Sequence, residues 1–182
     1  MNRRYRVVVV GGGVTGLMAA TLLGNGVPGE ALEVTVVDAA PRPGFSPDGE
    51  VALRVSAIAA GTAALFEEVG AWDYVAATRA SSYESMRVWD ENDSPDSATA
   101  LRFDAEEFAV PRLGFIVENV LLQAALLRRL DDTPADLRFA TGIRAVRRKA
   151  RHYEIELENG DELAADLVVG ADGARSFVRS AV

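Results

Sequence analysis

Residues 5–23 decide the fold: Tyr5-Arg6-Val7-Val8-Val9-Val10-Gly11-Gly12-Gly13-Val14-Thr15-Gly16-Leu17-Met18-Ala19-Ala20-Thr21-Leu22-Leu23. Four consecutive valines make a short β-branched run that reads as a strand. Three glycines follow at once, and the small and apolar residues from Val14 to Leu23 read as a helix. Gly11, Gly13 and Gly16 fit G-x-G-x-x-G. In that motif Gly11 permits the tight turn off the strand, and Gly13 lets a diphosphate approach bare backbone. Gly16 lets the helix pack close to the sheet. The helix N-terminus offers unpaired N–H groups and a partial positive charge to phosphate oxygens. Thr15, in the first turn, is a candidate further donor.

Such a motif alone is weak, since a glycine-rich turn also occurs in domains that bind no nucleotide. Support comes downstream. Glu33-Val34-Thr35-Val36-Val37-Asp38 reads as a second strand ending in a carboxylate. Asp38 stands 22 positions after Gly16, close to the ~20 at which an acid meets an adenosine ribose. The result is a βαβ unit. A membrane or secretory reading competes, because residues 7–29 carry no charge and follow the basic start Met1-Asn2-Arg3-Arg4. A span needs about 20 predominantly apolar residues. Here glycine interrupts at 11, 12, 13, 16, 24 and 26, and no A-x-A cleavage pattern precedes Asn25-Gly26.

The 182 residues suffice for a substantial core, and 49% apolar with 25% charged residues is ordinary globular composition. A net charge of −8, from 27 acids and 19 bases, argues against nucleic acid as a partner. With no cysteine, disulfides, thiolate catalysis and cysteine-ligated metals are excluded. His152 is the one histidine and sits among charged residues, so it reads as a solvated strand residue and no metal site is expected.

Gly24-Asn25-Gly26-Val27-Pro28-Gly29 closes the first helix, and residues 39–53, rich in proline and glycine, read as irregular. Ser56 reads as the N-cap of a helix from Ala57 to Val69, with Gly70 ending it. Arg54, just ahead, reads equally as a solvated arginine or as a guanidinium aimed at phosphate. Trp72 and Tyr74 are packing candidates. Strands are expected at Met86–Trp89, Leu101–Phe103 and Leu113–Val117, around an acidic loop from Asp90 to Ser97. Asn119 is the candidate cap of a helix over 120–130, with Leu122, Leu126 and Leu130 on one face. Gln123 lies beside that stripe and by itself reads as an exposed polar residue. A strand at Leu137–Ala140 precedes a three-stranded meander over 143–165 that turns at Asn159-Gly160. The basic run Arg144–Arg151 reads as one solvated face of it. A buried-type strand, Asp166–Gly170, leads into Ala171-Asp172-Gly173-Ala174-Arg175-Ser176. The chain stops soon after this charged turn and so looks unfinished.

Taken together, these segments resemble the group A flavoprotein aromatic hydroxylases, and within them the ring hydroxylases of ubiquinone biosynthesis. The resemblance rests on Gly11–Gly16 with Asp38, on Arg54-Val55-Ser56-Ala57-Ile58, on Gly70-Ala71-Trp72, on Gln123 with its leucines, and on Gly170–Ser176. It implies an α/β fold: a Rossmann-like, glutathione-reductase-type FAD-binding domain with a three-stranded meander and the first strands of an inserted substrate-binding sheet. Residues 1–70 and 118–182 would form the FAD-binding domain, and 71–117 the start of that sheet. Members run to about twice this length, within the two-domain range, so the chain is expected to be the N-terminal part.

The resemblance further implies FAD as cofactor and NAD(P)H as co-substrate. Gly11, Gly13 and Gly16 would approach the FAD diphosphate. Asp38 would bind the ribose, where many relatives carry glutamate. Arg54 and Gln123 would contact the pyrophosphate and ribityl region, and the Val146 backbone the adenine. Asp172 and Gly173 would belong to a segment tied to flavin and NAD(P)H. The implied reaction passes one oxygen atom of O2 to an electron-rich prenylated phenol ring. The cofactor carries that chemistry, so no acid–base residue of the chain is named. Alternatives are a dinucleotide-binding module without turnover and another FAD-dependent oxidoreductase. The expected partner is a small prenylated phenol. Association with the inner-membrane periphery or a biosynthetic complex, from the cytoplasm, stays open, as does self-association through uncovered sheet surface.

Overall fold

The computed structural model describes residues 4–26 and 31–181. The expected Val27–Gly29 part of the first loop lies outside the described residues. Two compact units result: residues 1–49 with 122–182, and residues 50–121.

In the first unit, β1 (Arg4–Val10), α1 (Val14–Gly24) and β2 (Ala31–Val37) form the βαβ start. Later come α4 (Asn119–Asp131), whose first three residues belong to the second unit, and β8 (Asp136–Arg138). The meander strands β9 (Ile143–Arg148), β10 (Tyr153–Leu157) and β11 (Glu162–Ala165) follow, then β12 (Leu167–Gly170) and α5 (Phe177–Ala181). The main sheet has the order β12-β1-β2-β8 and every pairing in it is parallel. That is the Rossmann-like arrangement.

A central parallel strand is covered on both faces and so needs no polar alternation. Val7, Val8, Val9 and Val10 are accordingly all buried. Val8 and Val10 join Val37, Ile155, Leu157, Ala165 and Val178 in one apolar cluster, which seats the meander and α5 on the sheet. Asp166 sets the entry of β12: its N–H donates to the Arg6 carbonyl, while its carboxylate accepts from the Arg6 N–H at 2.9 Å. The meander runs β11-β10-β9, antiparallel, and turns at Gly160 with φ +92° as Asn-Gly predicts. Its basic run is paired across strands. Arg147 reaches Glu156 at 2.7 Å, and Lys149 reaches Glu154 at 2.9 Å.

The second unit holds β3 (Val55–Ala59), α2 (Ala60–Glu68), α3 (Trp72–Thr78), β4 (Ala80–Tyr83), β5 (Ser85–Val88), β6 (Leu101–Asp104) and β7 (Gly114–Glu118). Strands β3-β7-β4 form one antiparallel sheet and β5-β6 a ribbon. Ser56 is not an N-cap. It lies in β3, and its hydroxyl donates to Asn119 Oδ1 at 2.6 Å. Pairing with β7 keeps residues 55–59 extended, so the helix starts at Ala60, and Ile58 belongs to the strand's buried side. Gly70 does end that helical stretch, with φ +70°. Trp72 is buried and meets Phe115 edge-on, with centroids 4.7 Å apart, but it opens α3, which the periodicity of that stretch did not announce.

Candidate dinucleotide site

The carboxyl ends of β1, β2 and β12 meet at the glycine turn. The Gly11 N–H donates to Val37 O at 2.8 Å, and the Ala171 N–H to Val10 O at 2.7 Å. In open α/β sheets this is where ligands bind.

The three motif glycines are required for different reasons. Gly11 has φ +111°, and a Cβ there would sit 2.3 Å from Ala171 O. A Cβ on Gly16 would sit 1.9 Å from Gly11 O, so the helix touches the turn only because it carries none. Gly13 is the N-cap of α1, with ordinary φ −72° and no side-chain cap bond. Nothing lies within 4 Å of where its Cβ would be. The 11-residue helix thus starts without a side-chain cap, beside open space at Gly13. Thr15 is exposed on the same turn.

Gly12, which the motif leaves unspecified, is held from both sides. Its N–H donates to Asp38 Oδ2, and its carbonyl accepts from Gln123 Nε2 at 2.9 Å. A Cβ on it would lie 2.6 Å from Phe139 Cε1. Gln123 is therefore half-buried and partnered rather than simply exposed, which its position beside the leucine stripe does not reveal. The second Asp38 oxygen accepts from the Ala40 N–H at 2.7 Å. The strand-end loops beside it are joined, with Thr141 N–H donating to Asp38 O at 3.0 Å and Ala140 N–H to Ala40 O at 2.8 Å.

A cavity of about 440 Å3 opens over this turn, lined by Gly11, Gly13, Asp38, Asp172 and Gly173 among the expected residues. That volume lies in the ~300–1,000 Å3 range of cofactor sites. Bare backbone, an uncapped helix start and a carboxylate at one wall suit a dinucleotide's phosphates and ribose. Thr141, Gly142, Ile143 and Glu158 also line the cavity. Sequence reading missed them, because β8 joins β2 and β10 returns to Gly142 only in the folded chain. Gly142 is the glycine among them, and a Cβ there would meet the Glu158 carboxylate at 2.4 Å.

Asp172 faces the chain as well as the cavity. Its oxygens accept from the Ser176 hydroxyl at 2.6 Å and from the N–H groups of Phe177 and Val178 at 2.6 and 3.1 Å, which caps α5. Burial pushes its carboxyl up, but Ser176 and these N–H groups outweigh burial and hold it below the usual aspartate range. Gly173 follows with φ +80°. Val146 is half-buried in β9 with its side chain against the apolar cluster, while Ile143 of the same strand lines the cavity. Arg54 belongs to the second unit, where it is exposed and its carbonyl accepts from the Asn119 N–H at 3.1 Å. Among the described residues no group of three or more His, Cys, Asp or Glu is placed to hold a metal, and no helix is long and apolar enough to cross a membrane.

Comparison with known proteins finds relatives and fold neighbours over nearly the whole chain. The chain is 37% identical over 179 residues to the 3-demethoxyubiquinol 3-hydroxylase of Escherichia coli (strain K12), covering 98% of this chain and 44% of that protein. It is 35% identical over 188 residues to the mitochondrial ubiquinone biosynthesis monooxygenase COQ6 of Xenopus tropicalis, covering 97% and 39%. The chain thus spans less than half the length of these relatives. Among solved structures, PqsL of Pseudomonas aeruginosa, a probable FAD-dependent monooxygenase, superposes with a TM-score of 0.71 at 25% identity, over 97% of this chain and 44% of its own. The p-nitrophenol 4-monooxygenase PnpA of Pseudomonas putida DLL-E4 shares the fold, with a TM-score of 0.73 at 24% identity, over 100% of this chain and 44% of its own. The FAD binding domain model matches residues 4–182, and the chain, with its bare glycine turn at the mouth of a parallel sheet, belongs to that family.

Proposed function

We propose that this chain is the FAD-holding part of a monooxygenase that hydroxylates a prenylated phenol ring in ubiquinone biosynthesis, with NAD(P)H and O2. The observation that carries the reading is the open backbone at Gly13 over an uncapped helix start, beside Asp38, in a chain with hydroxylase relatives. FAD, when bound, supplies the redox and oxygen-transfer chemistry. The chain's own residues bind and orient it. Gly11, Gly13 and Gly16, with Thr15, receive the diphosphate, and Asp38 receives the ribose hydroxyls with the lone pairs left by Gly12 and Ala40. Gln123 holds the Gly12 peptide and presents its remaining amide atoms to the pyrophosphate–ribityl region, where Arg54 also acts. The Val146 backbone serves the adenine, and Asp172 with Gly173 the flavin and NAD(P)H segment. Residues 1–70 and 118–182 form the cofactor domain, and 71–117 open the substrate sheet. A prenylated ring partitions into lipid, so the reading places a cytoplasmic protein at the periphery of the inner membrane or in a biosynthetic complex.

The test is direct. FAD is titrated into the purified chain while the visible flavin bands are followed. The proposal expects a saturable spectral shift. The parent activity is assayed as NAD(P)H consumption coupled to a ring product heavier by one oxygen atom from O2. Flavin uptake without a hydroxylated product would favour a binding module, and reduction without oxygen insertion another flavin oxidoreductase.

A further inference from the structure

Residues 51–54 lie between an irregular loop and β3, with Val51, Leu53 and Arg54 exposed. Side-chain packing does not hold such a segment, yet its backbone is fixed at several points. The Ala52 N–H donates to Glu118 Oε1 at 2.7 Å. The Asn119 N–H donates to Arg54 O at 3.1 Å. Val55 pairs with Glu118 in the β3–β7 ladder, and the Ser56 hydroxyl donates to Asn119 Oδ1 at 2.6 Å. Glu118 and Asn119 thus grip the chain on both sides of Arg54.

Glu118 is an expensive residue for this place. It is 3% exposed, and a buried carboxylate is costly unless paired. Arg79 pairs with it: Nε lies 2.8 Å from Oε2, off hydrogen-bond alignment, and Nη2 donates to Oε1 at 3.4 Å. Apolar pairs of similar volume commonly match or exceed the stability of a buried ion pair. What an apolar pair lacks is an acceptor for the Ala52 N–H.

We propose that Glu118 is a positioning residue which, together with Asn119, clamps the backbone around Arg54 and sets where that guanidinium is presented. The inference rests on the reading of Arg54 as a pyrophosphate ligand. In this proposal Glu118 acts on cofactor binding through Arg54 alone.

The test compares Glu118→Leu/Arg79→Met with Glu118→Gln/Arg79→Met in the whole chain. Neither variant leaves a buried charge unpaired, and they differ in whether an acceptor faces Ala52. Amide hydrogen exchange of Ala52 is read by NMR, and FAD affinity by flavin fluorescence. In the leucine variant, exchange at Ala52 should accelerate at least tenfold and the Kd for FAD should rise about tenfold. The glutamine variant should stay near wild type in both. In an Arg54→Ala background, the leucine variant should weaken FAD no further. Equal Ala52 protection in the two variants overturns the clamp, whatever flavin does. Additive losses in the Arg54→Ala background overturn action through Arg54. If Arg54→Ala alone leaves FAD affinity unchanged, the reading of Arg54 as a ligand fails instead, and exchange at Ala52 still decides the clamp.

Discussion

At the scale of single residues, Gly11 and Gly13 separate folding from binding. Gly13 has an ordinary φ and open space where a side chain would go, so Gly13→Leu should leave thermal stability nearly unchanged. The same leucine would fill the room a diphosphate needs, and FAD affinity should fall at least tenfold. Gly11→Ala should do the reverse first. A positive φ and a backbone oxygen at 2.3 Å make the fold itself pay, by roughly 1–3 kcal/mol in a denaturant titration. Asp172 adds a pH dependence. Its folded carboxyl titrates below the usual range, so its contribution is complete above the ordinary value of about 3.9 and disappears as pH falls through the depressed one. Asp172→Ala should therefore cost about 1 kcal/mol at pH 7, as for a lost N-cap. The gap should narrow below about pH 4, and an equal gap at pH 7 and pH 3 would assign the loss to something other than the charge.

At the scale of elements, α4 shows how an apolar stripe becomes a core. Leu122, Leu126 and Leu130 are buried as their spacing predicts, and Leu121, Ala125 and Leu127 join them, so the buried face is wider than one row. Leu126→Ala should cost about 2–5 kcal/mol, since a fully buried leucine leaves a cavity. Equilibrium unfolding checks this. The meander's charges are different in kind. Arg144, Arg147 and Lys149 meet Glu154 and Glu156 at the surface, where such pairs contribute little. The burial of Ile155 and Leu157 on the other face supplies the stability of that sheet.

At the scale of the molecule, large apolar side chains are left in solvent. Leu101 is 60% exposed and Phe108 55%, with Val88, Trp89 and Leu167 also open. Leu167 lies on β12, an edge of the parallel sheet. Exposed apolar surface and an open strand edge favour association. Sedimentation of this chain alone should show mass rising with concentration in the micromolar range, and a single monomer across that range would refute it.

The βαβ start, the Asn-Gly hairpin, the helix carrying Gln123 and the dinucleotide motif with Asp38 were all legible in the residue order, because each depends on local spacing, turn chemistry or composition. Other features exist only after distant segments meet. Ser56 is drawn out of a helix cap by pairing with β7, and Gln123 finds the Gly12 carbonyl 111 positions away. Thr141 and Glu158 reach the cavity because β8 adds to β2 and β10 returns beside Gly142. Local sequence specifies which backbone shapes are affordable, whereas the partners of buried polar groups are chosen by the tertiary packing that brings them within hydrogen-bond distance.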